Sequence, residues 1–281
     1  KVSGARHLQL SSAHNMGKKP LPIIEPEGFL LDPMRDLFLF MGPYKLVFYV
    51  VLAVFCAANA RTILVASPKI NYWHGCALMV LANFGGSTLS AIMCGAPVAF
   101  VCNEALVTVC LAVWTVMFML PKATVALLNY TLGNLLTSCC YETMRCHVLM
   151  NCTKQAATVL PDVLIKPFAL GPVPIVGPLI AGTLGGCGGG FMPLNKGLDP
   201  LAGGTNWRIA SAAVASVWMF LSTQYPPTVA MIGLSYDYAR FACVAFMVFT
   251  PLFTALTGVA PFGANPLIVV KAKASAAKKK N

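Results

Sequence analysis

Few side chains in this 281-residue sequence carry chemistry beyond filling space. Glu142 and Arg145 stand three apart, which puts them on one helical face, where they can pair. They sit within LLTSCCYETMRCHVLM, and charges in such apolar surroundings are costly in a membrane. The pair marks either a polar interior or ligand site, or a structural ion pair near an interface. Asp237 and Arg240 repeat the spacing. Glycine is the other signal. It occurs in Phe84-Gly85-Gly86-Ser87 and again as five glycines among the six residues 185–190. A glycine pair weakens a helix and lets another backbone approach closely, so the first run predicts a bend within a helix. The second run is too glycine-rich to be a regular helix at low cost. In a membrane, irregular backbone is tolerated where it is buried in protein or lines a polar cavity. Its free amides could also hold an anionic headgroup. A plain flexible break is the competing reading.

The groups of an enzyme do not come together. GGCGGG lacks the Lys-Ser/Thr ending and the strand-to-helix setting of a phosphate-binding loop. The eleven cysteines are scattered through apolar runs without a CxxC pair and read as small hydrophobes. The four histidines do not group with acids or cysteines at ligand spacing. Neither a catalytic residue, a metal site nor a tightly bound cofactor is predicted.

The elements that position these residues are membrane helices. The chain is 57% hydrophobic and 10% charged, against about 25% charged in soluble domains. Its mean hydropathy is +0.72. The net charge of +11 lies in loops and tails, where basic residues set membrane orientation. It is not read as a nucleic-acid surface. Hydropathy predicts seven spans: 44–66, 73–94, 100–120, 125–150, a fifth starting near Val163 and running into the second glycine run, 207–221 and 229–256. Glu104 opens the third and is either interfacial or faces a polar path. A proline-bearing extended arm over 1–42 precedes the transmembrane domain 43–257, and a basic tail occupies 258–281. The basic, serine-containing start without Met fits the remainder of a transit segment.

Five lysines place the tail on the cytosolic side, with Arg61, Lys69, Lys122, Lys196 and Arg208 beside it and Arg145, Lys154 and Lys166 opposite. KKKN at the end matches a dilysine retrieval signal of the endoplasmic reticulum. Asn151-Cys152-Thr153 is a glycosylation sequon. The second and fifth spans, each interrupted by glycine, fall at matching places in two three-helix halves. That is the pattern of an inverted repeat plus a seventh helix, with a pathway near the broken helices.

Over about 44–256 the sequence resembles the trimeric intracellular cation channels. That family has a tryptophan-led helix with a Phe-Gly-Gly-Gly bend, then proline, then a helix reading Trp-x-x-x-Phe before Pro. The matching residues are Phe84, Gly85, Gly86, Ser87, Pro97, Trp114, Phe118 and Pro121. The family's fourth-helix Lys-Glu-Val-x-Arg corresponds to Tyr141-Glu142-Thr143-Met144-Arg145. Its Arg-Gly-Ala-Gly-Gly corresponds to Gly185-Gly186-Cys187-Gly188-Gly189. The resemblance implies a homotrimer in the bilayer, one pore per protomer and monovalent cation (potassium) flux. Gly85, Gly86, Glu142, Gly188 and Gly189 are then the pore or gating candidates. A phosphoinositide or other anionic lipid would be held by Tyr141, Arg145, Gly185, Gly186 and Gly188. Two family cations are replaced, by Tyr141 and Gly185. This motivates an alternative: a pore-less subunit of a large respiratory or photosynthetic membrane complex, bound through the arm. The membrane is then that of the endoplasmic reticulum or, in the alternative, a mitochondrion or plastid.

Overall fold

The chain enters its first membrane helix through a short amphipathic one. In the computed structural model, which describes residues 30–160, 173–191 and 207–263, helix α1 (Leu31–Phe38) and a 3₁₀ turn (Gly42–Leu46) lead into α2 (Val47–Ala66). Then come α3 (Tyr72–Cys94), the single turn α4 (Ala99–Cys102), α5 (Glu104–Met119) and α6 (Pro121–Asn129). The long α7 (Thr131–Val159) is followed by α8 (Val176–Cys187), which passes into a second 3₁₀ turn (Gly188–Phe191). Helices α9 (Trp207–Thr223), α10 (Pro226–Ile232) and α11 (Tyr236–Thr257) complete the described chain, which contains no β-strand among its described residues.

Local chemistry sets the boundaries. The Asn71 side chain accepts the Trp73 N–H at 3.0 Å and starts α3. Gly95, at φ +62°, ends it, in the left-handed conformation that glycine takes most easily. Asn103 caps α5 in the same way, accepting the Ala105 N–H at 3.2 Å. Glu104 follows it, exposed in the first turn. The 125–150 span is divided. Tyr130 is extended, so α6 stops before it and α7 starts after it. The 229–256 span is divided as well, at Gly233 with φ +67°. Gly85 and Gly86 do not interrupt their helix, because α3 runs unbroken through both. The second glycine run also stays helical through Gly185 and Gly186 and tightens to 3₁₀ only at Gly188.

The sequence predicts seven spans. Among the described residues three segments are by themselves long and apolar enough: Leu31–Ala66, Tyr72–Cys94 and Tyr236–Thr257. α5 and α6 together would make a fourth, but they bend by 104° between them. α7 has ample length, about 43 Å at 1.5 Å per residue. What it lacks is a continuous apolar run, since Glu142, Arg145, His147 and Lys154 interrupt it. It is instead the axis of the molecule, with 15 of its 29 residues buried.

Two hydrophobic cores meet on α7. One joins α2, α3 and α5 through Leu52, Phe55, Met79, Phe84 and Trp114, and takes Tyr141 and Met144 from α7. The other joins α9 and α11 through Ala212, Met219, Cys243 and Met247, and takes Cys146 and Leu149 from the opposite face of α7. Trp114 is fully buried and its indole N–H donates to the Tyr72 carbonyl at 3.2 Å. A Cβ on Gly75 would lie 1.9 Å from its ring. Gly75→Val is therefore expected to displace the indole at a cost of about 1–3 kcal/mol. A red-shifted tryptophan emission and a lowered thermal midpoint would report this.

Two sequence readings change here. Residues 30–42 are not an extended arm. α1 lies on α11, with Phe38 6.0 Å from Phe241 and the Arg35 guanidinium over the Tyr238 ring at 5.1 Å. Tyr238 also donates its hydroxyl to Asp32. Arg61 lies near the end of the first span, as expected, and is buried in α2, where it donates to the Leu128 carbonyl at 3.1 Å and closes the end of α6. The sequon lies inside α7 with Cys152 and Thr153 buried, which is not the surface loop an acceptor needs. Residues 1–29, the tail from 264 with its KKKN ending, and Lys166, Lys196 and Asp199 lie outside the described residues.

Candidate functional site

Glu142 and Arg145 do pair, and deep inside the bundle. Arg145 Nη1 donates to Glu142 Oε2 at 2.6 Å, and both side chains are 3% exposed. The rest of the guanidinium is also engaged. Nε donates to the Gly186 carbonyl at 2.7 Å, and Nη2 to the Arg208 carbonyl at 2.7 Å and to Ser211 Oγ at 3.1 Å. The plane lies 4.8 Å from the Trp207 ring. One cation thus ties α7 to the last turn of α8 and the first turn of α9. The Gly186 carbonyl is among those a helix end leaves without a helical donor.

Close approach is what the glycines supply. A Cβ on Gly185 would lie 2.7 Å from Cys152 Sγ on α7, and one on Gly186 2.8 Å from Ala212 Cβ on α9. One on Gly189 would lie 2.3 Å from the Ala82 carbonyl oxygen on α3. The run is therefore neither a flexible break nor open backbone. It is the surface on which three helices converge. Gly188 opens the turn that carries Gly189 onto α3.

A small cavity of about 20 Å³ remains at this convergence, room for about one water. Gly86, Gly185, Gly186 and Gly189 line it with Tyr141, Arg145 and Arg208. Gly85 and Glu142 are not among its lining residues. Glu142 borders a separate space of about 10 Å³ against Pro251 and Thr254 of α11, and its Oε1 has no hydrogen-bond partner among the described residues. A larger cavity of about 170 Å³ lies between α2, α3, α5 and α7. Phe48, Leu52, Phe84 and Leu106 make it apolar, while Ser87, Asn151 and Gln155 give it a polar part.

From the sequence, Arg208 reads as one of the basic residues that set orientation. The structure puts its guanidinium 5.3 Å from the Tyr141 ring and 5.4 Å from that of Trp207, lining the small cavity. Among the described residues it has no carboxylate partner. The available signal was a Trp-Arg pair opening a helix of small residues, the next helix after the glycine run. Asn59 and Asn83 were also missed. Asn59 Nδ2 donates to Asn83 Oδ1 at 2.9 Å, linking α2 to α3, and Asn83 Nδ2 donates to the Met79 carbonyl at 2.7 Å. Amides inside apolar helices are a readable sign of such a link. Asn83→Leu is expected to weaken this contact by about 1 kcal/mol, read as a lowered unfolding midpoint in detergent.

The comparison of structures is decisive for the fold. A trimeric intracellular cation channel from C. elegans, solved in the absence of Ca2+, superimposes with a TM-score of 0.54. The match covers 82% of this chain and 98% of that one. The chain has the fold of a trimeric intracellular cation channel. Sequence identity to the nematode channel is 18%, and no family model or curated protein matches. In this channel fold, part of what resembles the family motifs lines one small cavity: Gly86 from α3, Tyr141 and Arg145 from α7, and Gly185, Gly186, Cys187 and Gly189 from α8 and its turn.

Proposed function

We propose that the protein is a monovalent cation channel, selective for potassium, that works as a homotrimer in an intracellular membrane. The reading is carried by the line of two cavities inside one protomer, both bordered by Phe55, Asn83 and Val148. An intramolecular route suits the one-pore-per-protomer arrangement that the family resemblance implies. Purified protein in potassium-loaded vesicles should release the ion above an empty-vesicle control, and planar bilayers should show unitary current. The absence of both rejects the reading.

An anionic lipid, a phosphoinositide by preference, is the proposed ligand. Arg145 is buried and has four of its five N–H donors engaged, so the headgroup phosphate meets the more accessible Arg208 beside Tyr141 and the glycine turn. Arg208→Gln should lower retention on vesicles containing phosphoinositide severalfold and leave retention on neutral vesicles unchanged. Equal retention of the variant and the parent would remove Arg208 from the site.

One observation favours a second reading, a subunit that keeps the fold without conducting. The two cavities are separate, and the inner one is lined by Arg208, a cation without a carboxylate partner among the described residues. Such a subunit of a respiratory or photosynthetic assembly should co-migrate with partner proteins after gentle extraction. Recovery as isolated homotrimers counts against it.

A further inference from the structure

We infer that Phe55 is the gate of the route, the side chain that separates the outer cavity from the inner one. The inference rests on the permeation reading for its functional meaning, and on packing for its position.

Three residues border both cavities, Phe55, Asn83 and Val148, so these three form the wall between them. They differ in how freely they can leave it. Asn83 is fixed by three neighbours: Asn59 donates to it, and its own amide donates to the Met79 carbonyl at 2.7 Å and towards Cys110 Sγ at 3.5 Å. Val148 is β-branched and held on a helix, which leaves it one strongly preferred rotamer. Phe55 has no polar anchor. Its ring is held by a stack on Tyr141, with centroids 4.9 Å apart and planes 29° apart. Tyr141 is backed in turn by the Arg208 guanidinium. Behind the wall the inner cavity has glycine on one side, so little side-chain volume stands there to replace a ring that moves.

An apolar ring across a narrow passage blocks ions by excluding water. The outer cavity is mostly apolar on the approach to Phe55, with Leu52 and Phe84 beside it. The proposed opening motion is rotation of the Phe55 ring away from Tyr141. The stack also couples the gate to the cationic site, because whatever pulls Arg208 off Tyr141 removes the backing of Phe55.

Two readouts test this on the full-length protein. Potassium flux from vesicles reads permeation. Hydroxyl-radical footprinting reads water at Tyr141 and Cys187, both of which line the inner cavity and are buried. Phe55→Ala should raise radical labelling of Tyr141 and Cys187 severalfold and raise flux severalfold. Phe55→Leu, which keeps apolar bulk but loses the stack, should fall between it and the parent protein. Labelling of Trp114, in the core away from the inner cavity, should stay unchanged and serves as the check on folding. Increased labelling with no flux in any variant keeps Phe55 as the water barrier and rejects permeation. Flux in the parent protein with labelling and flux unchanged in both variants overturns the gate and leaves permeation standing. Unchanged labelling with no flux overturns both.

Discussion

Replacing Arg145 by Met is expected to cost about 3–5 kcal/mol and to leave little folded protein, because the Glu142 carboxylate stays buried without its pair. The cost goes beyond that of the ion pair. Four hydrogen bonds leave with the guanidinium, and two of them end on the Gly186 and Arg208 carbonyls, which join α8 and α9 to α7. Glu142→Gln should be milder, at about 1–3 kcal/mol, since an amide oxygen still accepts from Arg145. The double variant Glu142→Gln with Arg145→Met should be more stable than Arg145→Met alone, because no uncompensated charge remains. Thermal unfolding in detergent, followed by circular dichroism, would rank the three. A double variant no better than the single one would show that the carbonyl links, not the charge balance, dominate.

The two readings of this pair left open by the sequence are thereby separated. A spacing of three specifies that Glu142 and Arg145 can meet, since a helix brings such residues together whatever surrounds it. It does not say what else the arginine touches. Those partners are backbone carbonyls 41 and 63 residues away, and carbonyls are the same in every sequence. The helices were legible for a similar reason. Apolar runs are local, and Gly95 marks the end of α3. Where the reading joined two helices, at Asn103, Tyr130 and Gly233, the apolar run continues across the break and hides it. The glycine run was legible as the place where a regular helix stops, which it does after Cys187, but not as a packing surface. Composition predicts weak helix; packing against Cys152 and Ala212 accompanies the helical half, Gly185 to Cys187, and the 3₁₀ turn that follows packs on Ala82. Arg208 was hidden because a basic residue at a helix start has an ordinary explanation in membrane orientation.

The adjacent glycines of the 3₁₀ turn should respond oppositely to one methyl group. Gly189→Ala places a Cβ 2.3 Å from the Ala82 carbonyl oxygen, while at Gly190 nothing lies within 4 Å of the added atom. The obstacle at Gly189 is backbone in the middle of α3, not the far end of a side chain, so it cannot turn aside. Either the turn lifts off α3 or α3 bends, and an overpacked contact of this sort costs about 1–3 kcal/mol. Both responses would open the cavity that Gly86 and Gly189 share. Gly189→Ala should therefore lower the unfolding midpoint and raise radical labelling of Tyr141, with Gly190→Ala close to the parent in both. Intrinsic helix propensity predicts the reverse of a penalty, because alanine is favoured over glycine wherever backbone is helical. Equal behaviour of the two variants would mean that the turn does not sit on α3, and the convergence of α3, α7, α8 and α9 around one small polar space would go with it.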